Sequence, residues 1–221
     1  YKCDFYSEEE REEHIDILRR CIKLAKKFDA NIIRGFAFWQ TGKTEEIWDD
    51  IIEAYRKPVN IAEEEGIIIG MENEASTSLS TAKLTEKFIK EIDSPHVKAI
   101  WDPANELFAE NGEQPYPDAY NRLRPLMIHG HIKDAKPDPE TGEMDSVPVG
   151  EGLVNWKAQF QGYINDGYEG HLSLETHWRP KSALSKDLVD QPSGAAFSAA
   201  GEEASRICLE NIKDIIAELD K

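Results

Sequence analysis

The chain has 221 residues, 40% of them hydrophobic and 31% charged, which suits one folded domain with a substantial core. Its formal charge of −17 repels phosphate backbones and argues against a nucleic-acid partner. No apolar run approaches the roughly 20 residues that cross a bilayer as a helix, so no membrane partner is expected.

The opening Tyr1-Lys2-Cys3-Asp4-Phe5 forms no signal peptide. Cys3, Cys21 and Cys208 fit no zinc or redox spacing and read as reduced thiols of a cytoplasmic protein. A helix opens at Ser7, with Glu10 three residues on as a capping box. Its stripe of Ile15, Leu18, Ile22 and Ala25 keeps helical spacing to about Phe28, and its acidic face (Glu8 to Glu10, Glu12, Glu13) is solvated surface. Residues 31–38 read as a buried strand. A second helix covers roughly 44–65 and stops at Gly66, with a kink or break expected near Lys57 because Pro58 falls inside it. Residues 67–71 are a second buried strand. A helix over about 81–92 leads into a strand over 97–101, and a short helix around 118–123 leads into another over 126–132. The polar stretch 136–146, with Pro137, Pro139 and Gly142, is expected to be a mobile loop. Asn155 caps a helix through Ile164, and 171–174 is a fifth strand. After a Gly/Ser/Pro-bearing stretch over 181–201, a last helix reaches about Leu219. No linker divides the chain, so 1–221 reads as a single domain.

Strands alternating with helices imply an α/β fold with a parallel sheet. An open doubly wound sheet and a closed eight-stranded barrel both fit, and a count of five strands favours the open form. The repeat of roughly 30 to 45 residues, however, matches the unit of a barrel of about 250 residues. The chain starts on a helix and has space for about five and a half such units. A parallel (β/α) TIM barrel is therefore expected, with up to three N-terminal strands absent from this sequence.

Each of the last four strands ends in a residue too polar for its apolar approach: Glu72, Asp102, His131 and Glu175. Taken singly these are ordinary; Asp102 before Pro103 suits a turn, and His129 nearby suits a satisfied core histidine. Four on four consecutive strands suggest convergence, because the C-terminal strand ends of a barrel surround its active site. Three carboxylates and an imidazole form a hard site for a divalent ion such as Mn²⁺ or Mg²⁺, and three buried negative charges without a cation would be prohibitive.

The blocks Met71-Glu72-Asn73-Glu74, Trp101-Asp102-Pro103-Ala104-Asn105, His129-Gly130-His131-Ile132-Lys133-Asp134, Val149-Gly150-Glu151-Gly152 and Ser173-Leu174-Glu175-Thr176-His177 occur in that order. As a set they resemble the xylose-isomerase-like TIM-barrel superfamily, especially its sugar phosphate isomerase/epimerase branch. The resemblance implies one divalent ion (Mn²⁺ or Mg²⁺ first, Co²⁺ or Zn²⁺ as alternatives) on Glu72, Asp102, His131 and Glu175. It also implies that Glu72 and Glu175 serve as the acid/base pair. Some members carry a substrate histidine three residues beyond the aspartate, where this chain has Asn105, and others a histidine two beyond the first glutamate, here Glu74.

The implied reaction is isomerisation or epimerisation of a small sugar or sugar phosphate, by proton transfer through a metal-stabilised enediolate. Lys133 and His177 share strand parity with His131 and Glu175, so each points to substrate or takes a surface role. Glu151 in its Gly-Glu-Gly loop reaches the pocket or is a plain turn charge. Arg34 binds an anionic substrate group or, the favoured reading, makes a structural ion pair. Two rivals remain: an endonuclease-IV-like hydrolase, which uses three zinc ions and more histidines, and a degenerate barrel that binds sugar without turnover. Homo-oligomerisation is left open.

Overall fold

The structure, a computed structural model, describes residues 1–180 and 200–219. Helix α1 (Glu8–Lys27) is followed by strand β1 (Ile32–Gly35), helix α2 (Trp48–Glu65), strand β2 (Ile68–Glu72), helix α3 (Ala82–Ile92), strand β3 (Val97–Trp101) and the short helix α4 (Pro103–Phe108). A turn of α5 (Tyr120–Leu123) precedes β4 (Met127–Ile132), the pair β5 (Asp134–Pro137) and β6 (Met144–Val147), helix α6 (Trp156–Asn165), strand β7 (His171–Leu174) and helix α7 (Gly201–Ala217). The stretch 181–199, expected to be irregular, lies outside the described residues. No helix among those described is long and apolar enough to cross a membrane.

The sheet runs β1-β2-β3-β4-β7, every pair parallel and each strand beside its predecessor. Five parallel strands in this order form a half-barrel, the topology of part of a TIM barrel. Alternation of side chains sorts its two faces. Ile69, Met71, Val97, Ala99, Trp101, Leu172 and Leu174 face one way into a single core with Ile51, Tyr55 and Val59 of α2, Phe88 of α3, Phe160 and Tyr163 of α6, and Cys208 and Ile212 of α7. The registered neighbours Glu72, Ile100, His129 and His171 face the other way. That opposite face carries the chemistry.

Local signals explain several helix ends. Ser7 Oγ accepts the Glu10 amide as N-cap of α1, but the Glu10 carboxylate accepts from Asp4 N–H rather than closing the box on Ser7. Thr81 and Asn155 cap α3 and α6 through their side-chain oxygens, contacts that contribute about 1 kcal/mol each. Gly66 ends α2 in the left-handed conformation, at φ 66°.

Two expectations fail and a third holds at most in part. Helix α2 runs through Pro58 as one element, so of the kink or break expected near Lys57 the break does not occur. The missing amide costs one intrahelical bond, but Tyr55, Val59 and Ala62 are buried in the core beside the sheet and Ile61 packs with Ile15, Ile22 and Ala25 of α1. The stretch 136–146 is not a loop throughout: its two sides pair as the antiparallel hairpin of β5 and β6, joined by the turn over 138–143. Strand β1, expected to be buried, is partly exposed, because among the described strands it pairs on one side only, with β2.

Candidate metal centre

Glu72 is the last residue of β2, Asp102 and Glu175 directly follow β3 and β7, and His131 lies near the end of β4. The ladder aligns Glu72 with Ile100, Ile100 with His129, and His131 with Ser173. Steps of two along each strand then put all four side chains on the same face and at the same end. One ligand atom from each lies within 4.8 Å of every other. Glu72 and Asp102 are fully buried and His131 nearly so, whereas the Glu175 side chain stays 20% exposed. The centre therefore opens on the Glu175 side.

Each of the four side chains is oriented by neighbours. Asp102 uses Oδ1 to cap α4, accepting the amides of Ala104 (2.9 Å) and Asn105 (3.1 Å). Its Oδ2 is buried, with Lys133 Nζ 2.9 Å away as its ion-pair partner. The turn reading of Asp102 and the ligand reading thus fall on different oxygens of one carboxylate. His131 Nδ1 faces Glu72 Oε1 at 3.0 Å, and Asn105 Nδ2 donates to the same oxygen at 3.1 Å. Arg34 bridges the two glutamates, with Nε on Glu72 Oε2 and Nη1 2.7 Å from Glu175 Oε1. Lys133 Nζ also lies 3.2 Å from Glu175 Oε2.

Charge explains the protonation states. Burial pushes the Glu175 carboxyl up, but Lys133, Arg34 and His131 outweigh it and bring it down to about 2. Burial lowers His131, yet its hydrogen bond to Glu72 and the surrounding carboxylates leave it above its ordinary value. Burial likewise opposes the Lys133 ammonium, but Asp102 and Glu175 hold it protonated. The donor set fits a divalent cation: three carboxylates and an imidazole offer ligand atoms within 4.8 Å of one another, three of the four side chains being buried.

A pH dependence follows for the metal-free protein. A carboxyl depressed from 4.5 to about 2 contributes stability that is present above about 4.5 and lost as pH falls toward about 2, on the order of 3 kcal/mol at most. Acid titration of the metal-free chain followed by circular dichroism is expected to show this loss, and Glu175→Gln is expected to flatten it. An unchanged acid limb in that variant would contradict the assigned shift.

Of the other anticipated residues, Lys133, Asn105, Arg34 and His177 all gather at the quartet. Asn105 lies between Glu72 and Lys133, and His177 Nε2 sits 3.6 Å from Glu175 Oε2. Arg34 makes the ion pair that was the favoured reading. Glu151 is exposed, and its carbonyl accepts Lys136 Nζ at 3.0 Å. Its loop is held instead by the buried Asp134 carboxylate, which accepts the amides of Gly150, Gly152, Val154 and Ala135. Gly152 is required there, since a Cβ would lie 2.0 Å from Asp134 Oδ1. Glu74 accepts from Ser76 Oγ and pairs with Lys2, and His129 bonds Ser173 Oγ at 2.8 Å. Sequence reasoning passed over Asn73, Glu106 and Asp134. All three are buried polar residues, and only their position beside one of the quartet or a glycine loop could have marked them.

Residues 3–213 match the family described as Xylose isomerase-like TIM barrel. An inosose dehydratase from Klebsiella pneumoniae is 24% identical over 154 residues, 63% of this chain and 51% of that protein; the chain spans about half the length of the curated relatives it matches. Among solved structures, the IolI protein with a bound zinc atom superposes with a TM-score of 0.71 at 16% identity, covering 98% of this chain and 74% of that one. D-psicose 3-epimerase with D-tagatose, from Clostridium cellulolyticum, gives 0.65 at 18% identity, covering 95% and 73%.

Proposed function

The chain belongs to the xylose isomerase-like TIM barrel family, and on that premise we propose a divalent-metal-dependent enzyme that isomerises or epimerises a small sugar. The observation carrying this reading is the convergence of Glu72, Asp102, His131 and Glu175 within 4.8 Å, with Lys133 and Arg34 beside them. In this reading the four side chains hold the ion. When bound, the ion polarises a substrate carbonyl and offsets negative charge that develops next to it.

The chain's own groups supply the proton traffic. Glu175, the partly exposed ligand, removes the proton from the carbon beside the carbonyl, and Glu72 serves the opposite face. Return of a proton to the same carbon epimerises; return to its neighbour isomerises. A carboxyl held near 2 is a weak base, so Arg34 or Lys133 must shift toward substrate oxygens for Glu175 to act. Lys133 and His177 are placed beside Glu175 to bind those oxygens. Among the described residues the quartet is the one such cluster, which favours single-ion chemistry over a three-zinc hydrolase.

A second reading, dehydration, has its own support. It begins with the same proton removal but needs a donor for the departing hydroxyl, and Lys133 is a buried, protonated amine beside Glu175. The matched relatives carry the name inosose dehydratase. Incubation of the Mn²⁺-loaded protein in D₂O with a panel of ketoses and an inosose separates the two. Deuterium entering recovered sugar without loss of water supports isomerisation or epimerisation, and a conjugated product absorbing in the ultraviolet supports dehydration. Absence of both with every compound would sink the enzyme reading.

A further inference from the structure

The ladder between β2 and β3 ends at the pair Glu72 and Ile100. Beyond it the backbone of Asp102 is buried and must find partners elsewhere. The Asn73 side chain provides two of them. Its Oδ1 accepts from Asp102 N–H at 2.9 Å, and its Nδ2 donates to the Asp102 carbonyl at 2.9 Å. This is a strand-like pair made by a side chain, one residue after Glu72 and on the backbone of Asp102. Asn73 is fully buried. Its Nδ2 also reaches Glu106 Oε2 at 3.4 Å, and Glu106 is anchored by the amides of Ala82 and Glu113.

The frame continues through Asn105. Its Nδ2 donates to the Asn73 carbonyl at 2.9 Å as well as to Glu72, and its Oδ1 accepts Lys133 Nζ at 2.8 Å. These bonds use both amide hydrogens and the amide oxygen. Asn105 is thereby committed to Glu72 and Lys133.

We propose that Asn73 is a positioning residue that sets the separation of the Glu72 and Asp102 carboxylates for the ion, a role that rests on the metal-site reading above. Only an amide of this length meets both backbone groups. Aspartate lacks the donor for the Asp102 carbonyl, glutamine is a methylene too long, and serine cannot span the two. Ligand atoms held by such supports are pre-organised, so ion binding does not have to order them.

The test titrates the full chain with Mn²⁺, following free ion by electron paramagnetic resonance, and measures urea unfolding of the metal-free protein in parallel. Asn73→Ala and the milder Asn73→Ser are expected to raise the Mn²⁺ Kd by roughly 10- to 100-fold. Thr85→Ala, which removes a buried hydroxyl bonded to the Thr81 carbonyl in α3, is the control; it is expected to lower stability and leave Kd unchanged. Mn²⁺ binding within about twofold of the unaltered chain in folded Asn73 variants would overturn the proposal. So would failure of both variants to fold with or without Mn²⁺, since Asn73 would then be a folding residue. An unaltered chain that binds no Mn²⁺ would instead remove the metal reading, and this inference with it.

Discussion

Replacing Glu175 by Gln is expected to lower kcat by roughly 10²- to 10⁴-fold, the range for loss of a positioned acid/base group. Glutamine keeps the size of the side chain and one oxygen able to face the ion, but it cannot take up a proton. Glu175 is the exposed member of the quartet, so a bound substrate meets it first. Its contacts with Arg34 Nη1 and Lys133 Nζ are charge pairs that an amide weakens, and Mn²⁺ affinity is expected to fall much less than turnover. Solvent deuterium is expected to stop entering the substrate at the usual rate. A variant that loses the ion outright would place Glu175 among the ligands only. One that binds Mn²⁺ and still exchanges deuterium at the normal rate would remove the proton-shuttle role.

Asp102→Asn is expected to act on the ion rather than on the proton. The amide oxygen can keep the Oδ1 cap to Ala104 and Asn105, so α4 stays anchored. The amide nitrogen then takes the place of Oδ2, 2.9 Å from the Lys133 ammonium: a donor meets a donor, and one negative charge is gone. Mn²⁺ affinity is expected to drop by more than the roughly 10- to 100-fold that follows loss of an outer support. The metal-free protein is expected to lose about 3 kcal/mol in urea, because Lys133 is left buried with one fewer counter-charge. Asp102→Ala removes the cap as well and is expected to cost about 1 kcal/mol more. Unchanged Mn²⁺ affinity in Asp102→Asn would exclude Asp102 as a ligand.

The sequence by itself determined the five strands of the parallel sheet, the longer helices, and the four polar residues at the strand ends. Runs such as Ile67-Ile68-Ile69-Gly70-Met71 and Val97-Lys98-Ala99-Ile100-Trp101 read as strands because an apolar segment between helices has few other places to go. A polar residue closing each run is visible in one dimension, since strand parity alone fixes which face it takes. The hairpin of β5 and β6 was not legible: its residues are polar and rich in turn formers, and only pairing with each other makes them strands. That α2 continues unbroken through Pro58 was hidden for a related reason, as the burial that keeps it intact comes from contacts distant in sequence. The neighbours of the centre were decided only by tertiary structure. Arg34 reaches Glu72 and Glu175 across 38 and 141 residues of chain, Asn73 meets the backbone of Asp102, and Lys133 divides its charge between Asp102 and Glu175. Coulomb and hydrogen-bond energies depend on distances of about 3 Å in space, and spacing along the chain carries no such information until the half-barrel brings its strand ends together.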